Sequence, residues 1–205
     1  MAAKIRATRP RDILNLAGIN ATFVSSTVLR ATKQASGIQA GWQLVEEALL
    51  EPYDKGKAYN LVQRDLEDIR ARLPRSDCAE WVAEDEGRLV AVYDLETLHW
   101  NNAGWLWNLL VDAGYRRQGI GRALFQRGVS WARKRNLRAL LVETQTNNVP
   151  ACRFYERMGC HLVGINDHYY TNRDLEAGEV AIFWACDLSD TAPDAFSPAL
   201  AIPPA

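Results

Sequence analysis

The sequence predicts an α/β domain. Short apolar segments typical of buried strands alternate along the chain with segments whose apolar residues recur at helical spacing. The clearest unit spans residues 104–159, where a strand, a glycine-containing loop and a helix are followed by a second strand and a second helix. The content of 48% hydrophobic and 24% charged residues is that of a globular protein. We therefore expect one domain over residues 1–188.

The patterns before residue 75 predict one strand, three helices and a loop. Apolar residues that alternate with charged ones indicate the strand, and apolar residues three or four positions apart indicate the helices. Pro74 then stops the third helix, because proline lacks the N–H that a helix needs. The elements are a strand at residues 4–8, helices at 10–23, 39–50 and 61–73, and a loop at 52–57.

The rest of the chain predicts six strands and two helices. A hairpin at residues 79–98 turns at Asp85, Glu86 and Gly87. Two helices follow Gly119 and Asn148; Asn148 is a good N-cap, Pro150 suits the first turn, and Gly159 suits the end. Beyond the hairpin, strands are expected at residues 105–111, 140–144, 161–165 and 180–187.

The loop before the first of these helices suits an anionic ligand. Gly119 and Gly121 allow a ligand to approach the backbone closely, and the helix that follows offers free N–H groups and the positive end of its dipole. Arg116, Arg117 and Arg122 add positive charge there. The spacing is neither that of a dinucleotide fingerprint nor that of a P-loop, and a simple strand-to-helix turn is the alternative interpretation.

The charge distribution agrees with a phosphate-bearing ligand. Residues 112–160 contain ten Lys or Arg residues and three Asp or Glu residues, while the whole chain has a net charge of −1. A basic middle suits an anionic nucleotide, and an acidic remainder suits a cationic partner. A solvated helix face would explain the same residues, above all the run from Arg133 to Arg135.

These residues resemble the GNAT superfamily of acetyl-CoA-dependent N-acetyltransferases. The resemblance is carried by Arg116, Gly119 and Gly121, then a strand, then Asn148, Ala151, Phe154, Tyr155 and Gly159, and it spans residues 78–187. It implies a mixed, mostly antiparallel twisted sheet of six to seven strands with helices on both faces. It also implies that acetyl-CoA binds where the fourth and fifth predicted strands separate.

The resemblance assigns residues to the cofactor. Backbone groups of the central strand would bind the pantetheine arm and the acetyl carbonyl, loop amides would bind the diphosphate, and Asn148 would bond the arm from the other side. The implied cofactor-binding residues are Leu109, Leu110, Val111, Arg116, Arg117, Gln118, Gly119, Ile120, Gly121, Arg122, Asn148, Ala151 and Tyr155.

The resemblance also places catalytic residues. Tyr155 would protonate the departing thiolate, with an ordinary core aromatic as the alternative. Many relatives carry a carboxylate near Asn108, and an amide cannot take a proton, so Glu143 is the first candidate base, ahead of Asp94 and Glu96. The expected substrate-binding residues are Asp94, Glu96, Asn108, Glu143, Asp167 and Tyr169, although an ordinary surface position is the alternative for several of them.

Residues 142–156 and 179–184 are further similar to streptothricin acetyltransferases, which suggests a small cationic amine as the acceptor. Two alternatives remain open. One is acetylation of protein N-termini, lysines or polyamines, and the other is a non-catalytic acetyl-CoA-binding module. The sequence shows no nucleic-acid-binding motif, and a homodimer is left open.

The remaining features point to a cytoplasmic protein. No apolar run approaches the roughly 20 residues of a membrane span, and residues 1–12 lack the apolar core of a signal peptide. Cys78, Cys152, Cys160 and Cys186 lack metal-site spacing, so we expect buried reduced thiols and no metal. Residues 189–205 are rich in Ala and Pro and predict a flexible tail.

Overall fold

The computed structural model describes residues 3–188, and a seven-stranded sheet forms its centre. The strand order is β1-β4-β5-β6-β7-β9-β8, with β6 and β7 parallel and the other neighbours antiparallel. This confirms the predicted mixed, mostly antiparallel sheet. The strands are β1 (Lys4–Ala7), β4 (Cys78–Asp85), β5 (Arg88–Leu98), β6 (Ala103–Val111), β7 (Ala139–Gln145), β8 (His161–Asn166) and β9 (Ala181–Asp187).

Helices cover both faces of the sheet. The helices α2 (Ile120–Arg133) and α3 (Val149–Arg157) enclose the larger core, to which Tyr93, Leu124 and Tyr155 belong. A 3₁₀ helix (Pro10–Gly18) and α1 (Gln63–Arg72) enclose a second core on the other face. Successive residues of β5 alternate between them, since Val92 joins the second core and Tyr93 the first. The short α4 (Asp174–Ala177) lies between β8 and β9 in the chain.

The parallel pair β6 and β7 separates within the sheet. Their pairing covers only Ala103 to Leu106 on β6 and Ala139 to Val142 on β7, although both strands continue for several residues. Just beyond the last pair, β6 carries a bulge, because Leu106 faces Leu95 and Asn108 faces Asp94 with Trp107 as the extra residue. Bulges of this kind are common beside active sites, where they redirect backbone groups. The opening therefore exposes backbone from the middle of the sheet.

A separate two-stranded sheet corrects two of the local predictions. The predicted helix at residues 39–50 is wrong, and so is the first half of the loop at 52–57, because β3 (Trp42–Asp54) covers nearly all of both and pairs with β2 (Val24–Lys33). The helical spacing of Trp42, Val45 and Leu49 is too short a signal to outweigh pairing with a distant strand. The hairpin contacts the rest of the molecule where the Leu29 N–H donates to the carbonyl of Thr146 (2.9 Å).

Most other local predictions hold. The predicted helix at residues 10–23 is shorter and of 3₁₀ type, and it ends at Gly18. The four cysteines are buried and reduced, as expected. No helix among residues 3–188 combines the length and apolarity needed to cross a bilayer. The predicted tail at residues 189–205 lies outside the described residues.

Gly128 allows α2 to pack closely on the sheet, so we predict that Gly128→Ala destabilises the fold. A Cβ there would lie 1.9 Å from the Tyr93 hydroxyl oxygen and 2.4 Å from Cζ of the same ring. Tyr93 is fully buried and cannot move aside. The overpacking should outweigh the helix propensity of alanine, which is worth about 1 kcal/mol, and give a net loss of about 2 kcal/mol.

Urea unfolding measures this loss. Gly41→Ala is the matched control, because its Cβ would meet no atom within 4 Å. Equal or higher stability of Gly128→Ala would show that Tyr93 and α2 are not in close contact.

Candidate active site

A cleft opens where β6 and β7 separate. Its volume is about 940 Å³, and β6, α2, α3 and the β2–β3 hairpin all contribute to its walls. Twelve of the thirteen residues expected at the cofactor line it, and Gln118 is the exception. The chain thus brings together, at one place, residues that lie between positions 109 and 155 of the sequence.

The loop before α2 forms one end of the cleft. Arg117 (φ 64°) and Gly119 (φ 84°) adopt left-handed conformations, and Gly119 is the N-cap of α2. Because the first N–H groups of a helix have no acceptor within it, this end is suited to phosphate oxygens. Arg117, Arg122 and Arg157 also line the cleft and place positive charge around it.

Arg116 and Gln118 act differently from the expectation. The Arg116 guanidinium donates to the carbonyl oxygens of Val111 (3.1 Å) and Ala21 (2.8 Å), so it braces the loop. Its half-buried position lowers its pKa. Gln118 is exposed, and its side-chain amide donates to the carbonyl of Gly114 (3.3 Å).

The start of α3 forms the opposite wall. The Asn148 side chain caps the helix, since its oxygen accepts from the Ala151 N–H (3.3 Å), and its amide nitrogen donates to the Tyr59 hydroxyl (3.1 Å). Tyr155 lines the cleft with 6% of its surface exposed. Burial raises the pKa of Tyr155 well above its usual value of 10, so its phenol is protonated at neutral pH. A proton donor therefore faces the cleft.

Glu143 occupies β7 just past its last pair with β6. Burial raises the pKa of Glu143 to about 7, which is near the optimum for a general base at neutral pH. Its carboxylate accepts hydrogen bonds from the Tyr170 hydroxyl and from the Gln145 amide (3.4 Å). Its negative charge also contributes to the raised pKa values of Tyr59 and Tyr155, which line the cleft.

Asp94 and Asn108 belong to a hydrogen-bond network with Arg72. Asp94 is 0% exposed and accepts two hydrogen bonds from Arg72 of α1, at 3.0 Å from Nε and 2.5 Å from Nη2. The Asn108 amide donates to the same carboxylate (3.1 Å). The expected contact of Asp94 with substrate does not agree with this burial. The network instead ties the bulge of β6 to α1.

The other expected substrate residues fall into two groups. Asp167 accepts from Lys33 (3.2 Å) and from Trp42 (3.2 Å), so it anchors the hairpin to the loop after β8. Glu96 and Tyr169 lie on the open part of the sheet with Glu143. Glu96 is paired with Arg75 (2.7 Å) and accepts from the Trp107 indole (2.8 Å).

The structure adds cleft residues that sequence patterns did not indicate. Tyr59 is one, with a pKa raised to about 12 by burial and an edge-on contact with Phe23 at 5.1 Å between ring centroids. Glu46 of β3 is another, and it is paired with Arg153 of α3. Glu46 lies in the segment that the sequence predicted wrongly as a helix, and Tyr59 lies between the predicted loop and the next predicted helix. Arg157 also lines the cleft, and for this residue the sequence did hold a signal. It belongs to the basic stretch at residues 112–160 and shares a helix face with Arg153.

The chain matches the model of the Acetyltransferase (GNAT) family over residues 42–160. It belongs to this family. The cleft agrees with the acetyl-CoA that GNAT acetyltransferases use, because its volume is within the range of about 300–1,000 Å³ typical of ligand sites. One end offers loop amides and arginines to a diphosphate, and the free edge of β6 at residues 109–111 can pair with the amides of a pantetheine arm.

Several curated relatives are named for one antibiotic class. The chain is 28% identical to streptothricin acetyltransferase of Streptomyces lavendulae over 183 residues, 88% of this chain and 92% of that protein. It is 28% identical to streptothricin acetyltransferase A of Bacillus subtilis over 152 residues, which is 70% of this chain and 78% of that protein. The chain is also 36% identical to the ribosomal protein bS18-alanine N-acetyltransferase of Escherichia coli over a shorter stretch of 84 residues, which is 41% of this chain and 55% of that protein.

Solved structures share this GNAT fold over nearly the whole chain. The structure of nourseothricin acetyltransferase superimposes with a TM-score of 0.77 at 25% identity, covering 92% of this chain and 100% of that one. A Bacillus anthracis protein proposed to be a streptothricin acetyltransferase, solved with acetyl coenzyme A, gives a TM-score of 0.73 at 24% identity, covering 92% and 99%.

Proposed function

We propose that this GNAT enzyme acetylates a primary amine of a streptothricin-type antibiotic. The observation that carries the proposal is the placement of Glu143, a partly buried carboxylate with a pKa of about 7, near Tyr155 at the opening of the sheet. This pair suits an acceptor that arrives as an ammonium ion and must lose a proton before it attacks. The streptothricin acetyltransferases among the relatives support this choice of acceptor.

Bound acetyl-CoA supplies the activated thioester, and the residues of the chain move the protons. Glu143 takes a proton from the acceptor ammonium, so the neutral nitrogen can form the new N–C bond. Backbone N–H groups of residues 109–111 stabilise the charge that develops on the carbonyl oxygen. As the C–S bond breaks, Tyr155 donates its phenolic proton to the thiolate, and the nitrogen loses its second proton to solvent. Glu143 then releases its proton to solvent and Tyr155 regains one, so one proton is released in each turnover. The products are an amide and a free thiol.

The first test is release of free thiol from acetyl-CoA by the purified protein. Streptothricin, spermidine, an aminoglycoside and an N-terminal peptide are supplied in parallel, at equal concentrations. We expect saturable turnover with streptothricin and kcat/KM at least tenfold higher than for the other amines. A preference for the peptide would favour a protein acetyltransferase. Bound acetyl-CoA with no turnover of any amine would favour a binding module.

Glu143→Gln should change the pH dependence of the reaction. Glu143 works as a base only when ionised, so kcat/KM of the wild type should rise with pH and level off above about 7. The variant should be about 10²-fold slower at pH 7 and should keep rising with pH, because only amine already deprotonated in solution reacts. The groups facing Glu143 that would shift this profile are Glu179, Lys55 and Tyr170.

Glu156→Gln is the matched control, since Glu156 is exposed on α3 and pairs only with its neighbour Arg153 among the described residues. We expect it to keep the wild-type profile. If Glu143→Gln also levels off near pH 7, the base is another group.

A further inference from the structure

Five aromatic rings form a continuous surface on the sheet face that carries Glu143. We call this surface the aromatic band. Its ring centroids are 5.9 Å apart for Trp105 and Trp107, 6.2 Å for Trp105 and Phe183, 5.5 Å for Phe183 and Tyr169, and 5.2 Å for Tyr169 and Tyr170. The band therefore crosses β6, β9 and the loop after β8.

The band is accessible to solvent. Trp107, Tyr169 and Tyr170 are 48%, 44% and 38% exposed. The other half of the same sheet face is covered by the 3₁₀ helix and α1. Exposed aromatic surface rimmed by polar groups is typical of a binding site.

A carboxylate lies at each end of the band. Glu143 is the cross-strand neighbour of Phe183 and accepts from the Tyr170 hydroxyl. Glu96 is the cross-strand neighbour of Trp105, accepts from the Trp107 indole (2.8 Å) and is paired with Arg75 (2.7 Å). Cross-strand partners share a face of the sheet, so both carboxylates border the same surface.

The sheet register sets the spacing of these carboxylates. Glu96 faces Trp105, Trp105 faces Leu141, and Glu143 lies two residues beyond Leu141. Two strand spacings across the sheet and two residues along a strand place the two Cα atoms roughly 12 Å apart.

The rings between the carboxylates are suited to cations. The Arg72 guanidinium already lies 5.3 Å from the centre of the Trp107 ring, so this indole accepts a cation on one face. Aromatic faces attract ammonium groups, most strongly when the contact is shielded from water. Each carboxylate oxygen can accept more than one hydrogen bond, so Glu96 can accept from an ammonium group beside Arg75 and the Trp107 indole. The rings and the two carboxylates therefore match a chain with more than one protonated amine.

We propose that the aromatic band binds an acceptor with two ammonium groups, one at Glu143 and the other at Glu96, with its apolar chain lying along Trp105 and Trp107. This inference rests on the proposed function, because it assigns Glu143 to the reacting amine. It adds that the enzyme selects linear diamines and polyamine chains over monoamines by means of the second carboxylate.

Binding of a diamine series tests the proposal without requiring turnover. Linear α,ω-diamines of increasing length and the matched n-alkylamines are titrated into the CoA-bound protein, with tryptophan fluorescence as the signal. Both glutamate side chains project from the same sheet face, so their carboxylates should have about the separation of the Cα atoms. We therefore expect the affinity of the diamines to reach a maximum at a nitrogen–nitrogen span of roughly 12 Å. At that length a diamine should bind about tenfold more tightly than its monoamine.

Two variants of the band and one control make the test specific. Glu96→Gln should remove the advantage of the diamine and leave monoamine binding unchanged, and Trp107→Leu should weaken both. Trp100→Leu is the control, because Trp100 is exposed in the turn between β5 and β6 and lies outside the band. Equal affinity for diamine and monoamine, or an advantage that survives Glu96→Gln, would overturn the proposal. Failure of the proposed function appears separately, as absence of thiol release with streptothricin.

Discussion

Replacing Tyr155 with phenylalanine is expected to lower kcat by about 10²-fold or more, with little change in the affinity for acetyl-CoA. The change removes only the hydroxyl, so the buried ring keeps its place between Phe125 and Phe154. General acid catalysis contributes about 10²- to 10⁴-fold, and without a proton donor the thiolate must leave as an anion. Thiol release at saturating substrates gives kcat, and calorimetric titration gives the affinity for acetyl-CoA.

Tyr59→Phe is the comparison that isolates this effect. Tyr59 lines the same cleft and bonds Asn148, so it is the rival proton donor. We expect Tyr59→Phe to change kcat less than tenfold, because we assign the Tyr59 hydroxyl to accepting from the Asn148 amide, which supports the cap of α3. If Tyr59→Phe is the slower variant, the roles of the two tyrosines are reversed. If both retain full activity, the acid is neither of them.

Asp94→Asn is expected to lower the free energy of unfolding by about 3–5 kcal/mol, the range for breaking a buried ion pair. The substitution keeps the shape of the side chain and leaves the Arg72 guanidinium, which is 11% exposed, without its counter-charge. Burial raises the pKa of Asp94, and the hydrogen bonds from Arg72 and Asn108 oppose that shift. The ionised form thus depends on these two partners.

Urea unfolding of Asp94→Asn measures the loss, and Glu47→Gln is the control. Glu47 forms an ion pair with Arg30 in which both side chains are 47% exposed. Exposed pairs contribute about 0–1 kcal/mol, so the control should be close to the wild type. Equal effects of the two substitutions would mean that the Arg72–Asp94 pair is solvated in solution.

Because Asn108 lies in the bulge of β6, Asp94→Asn should also reduce turnover at temperatures where it remains folded.

The elements predicted well are those whose signals are local. Asn148 and Pro150 define the start of α3 through capping and a preset backbone angle, and Gly159 ends it with φ 84°. The hairpin of β4 and β5 follows from alternation and from the turn at Glu86 and Gly87, both of which have positive φ. Neighbouring residues carry all the information that these features need.

The β2–β3 hairpin shows where local signals are insufficient. Val24 pairs with Asp54 and Lys33 with Trp42, so each strand is defined by a partner up to 30 residues away.

Asp94 shows that local signals are also insufficient for a single side chain of the candidate site. Its alternating position on β5 gives no sign of Arg72, 22 residues earlier, although this arginine decides that the carboxylate is buried and paired.

The sequence by itself determined the family, the glycine loop that begins α2, and the residues that the resemblance assigns to the cofactor, because these depend on residue types at fixed short spacings. Only the tertiary structure decided how each carboxylate is buried and what it contacts. Asp94 and Glu143 both lie on strands and look alike in the sequence. Packing of α1 over β5 buries Asp94 against a cation, while the opening beside β7 leaves Glu143 near the cleft with a pKa of about 7.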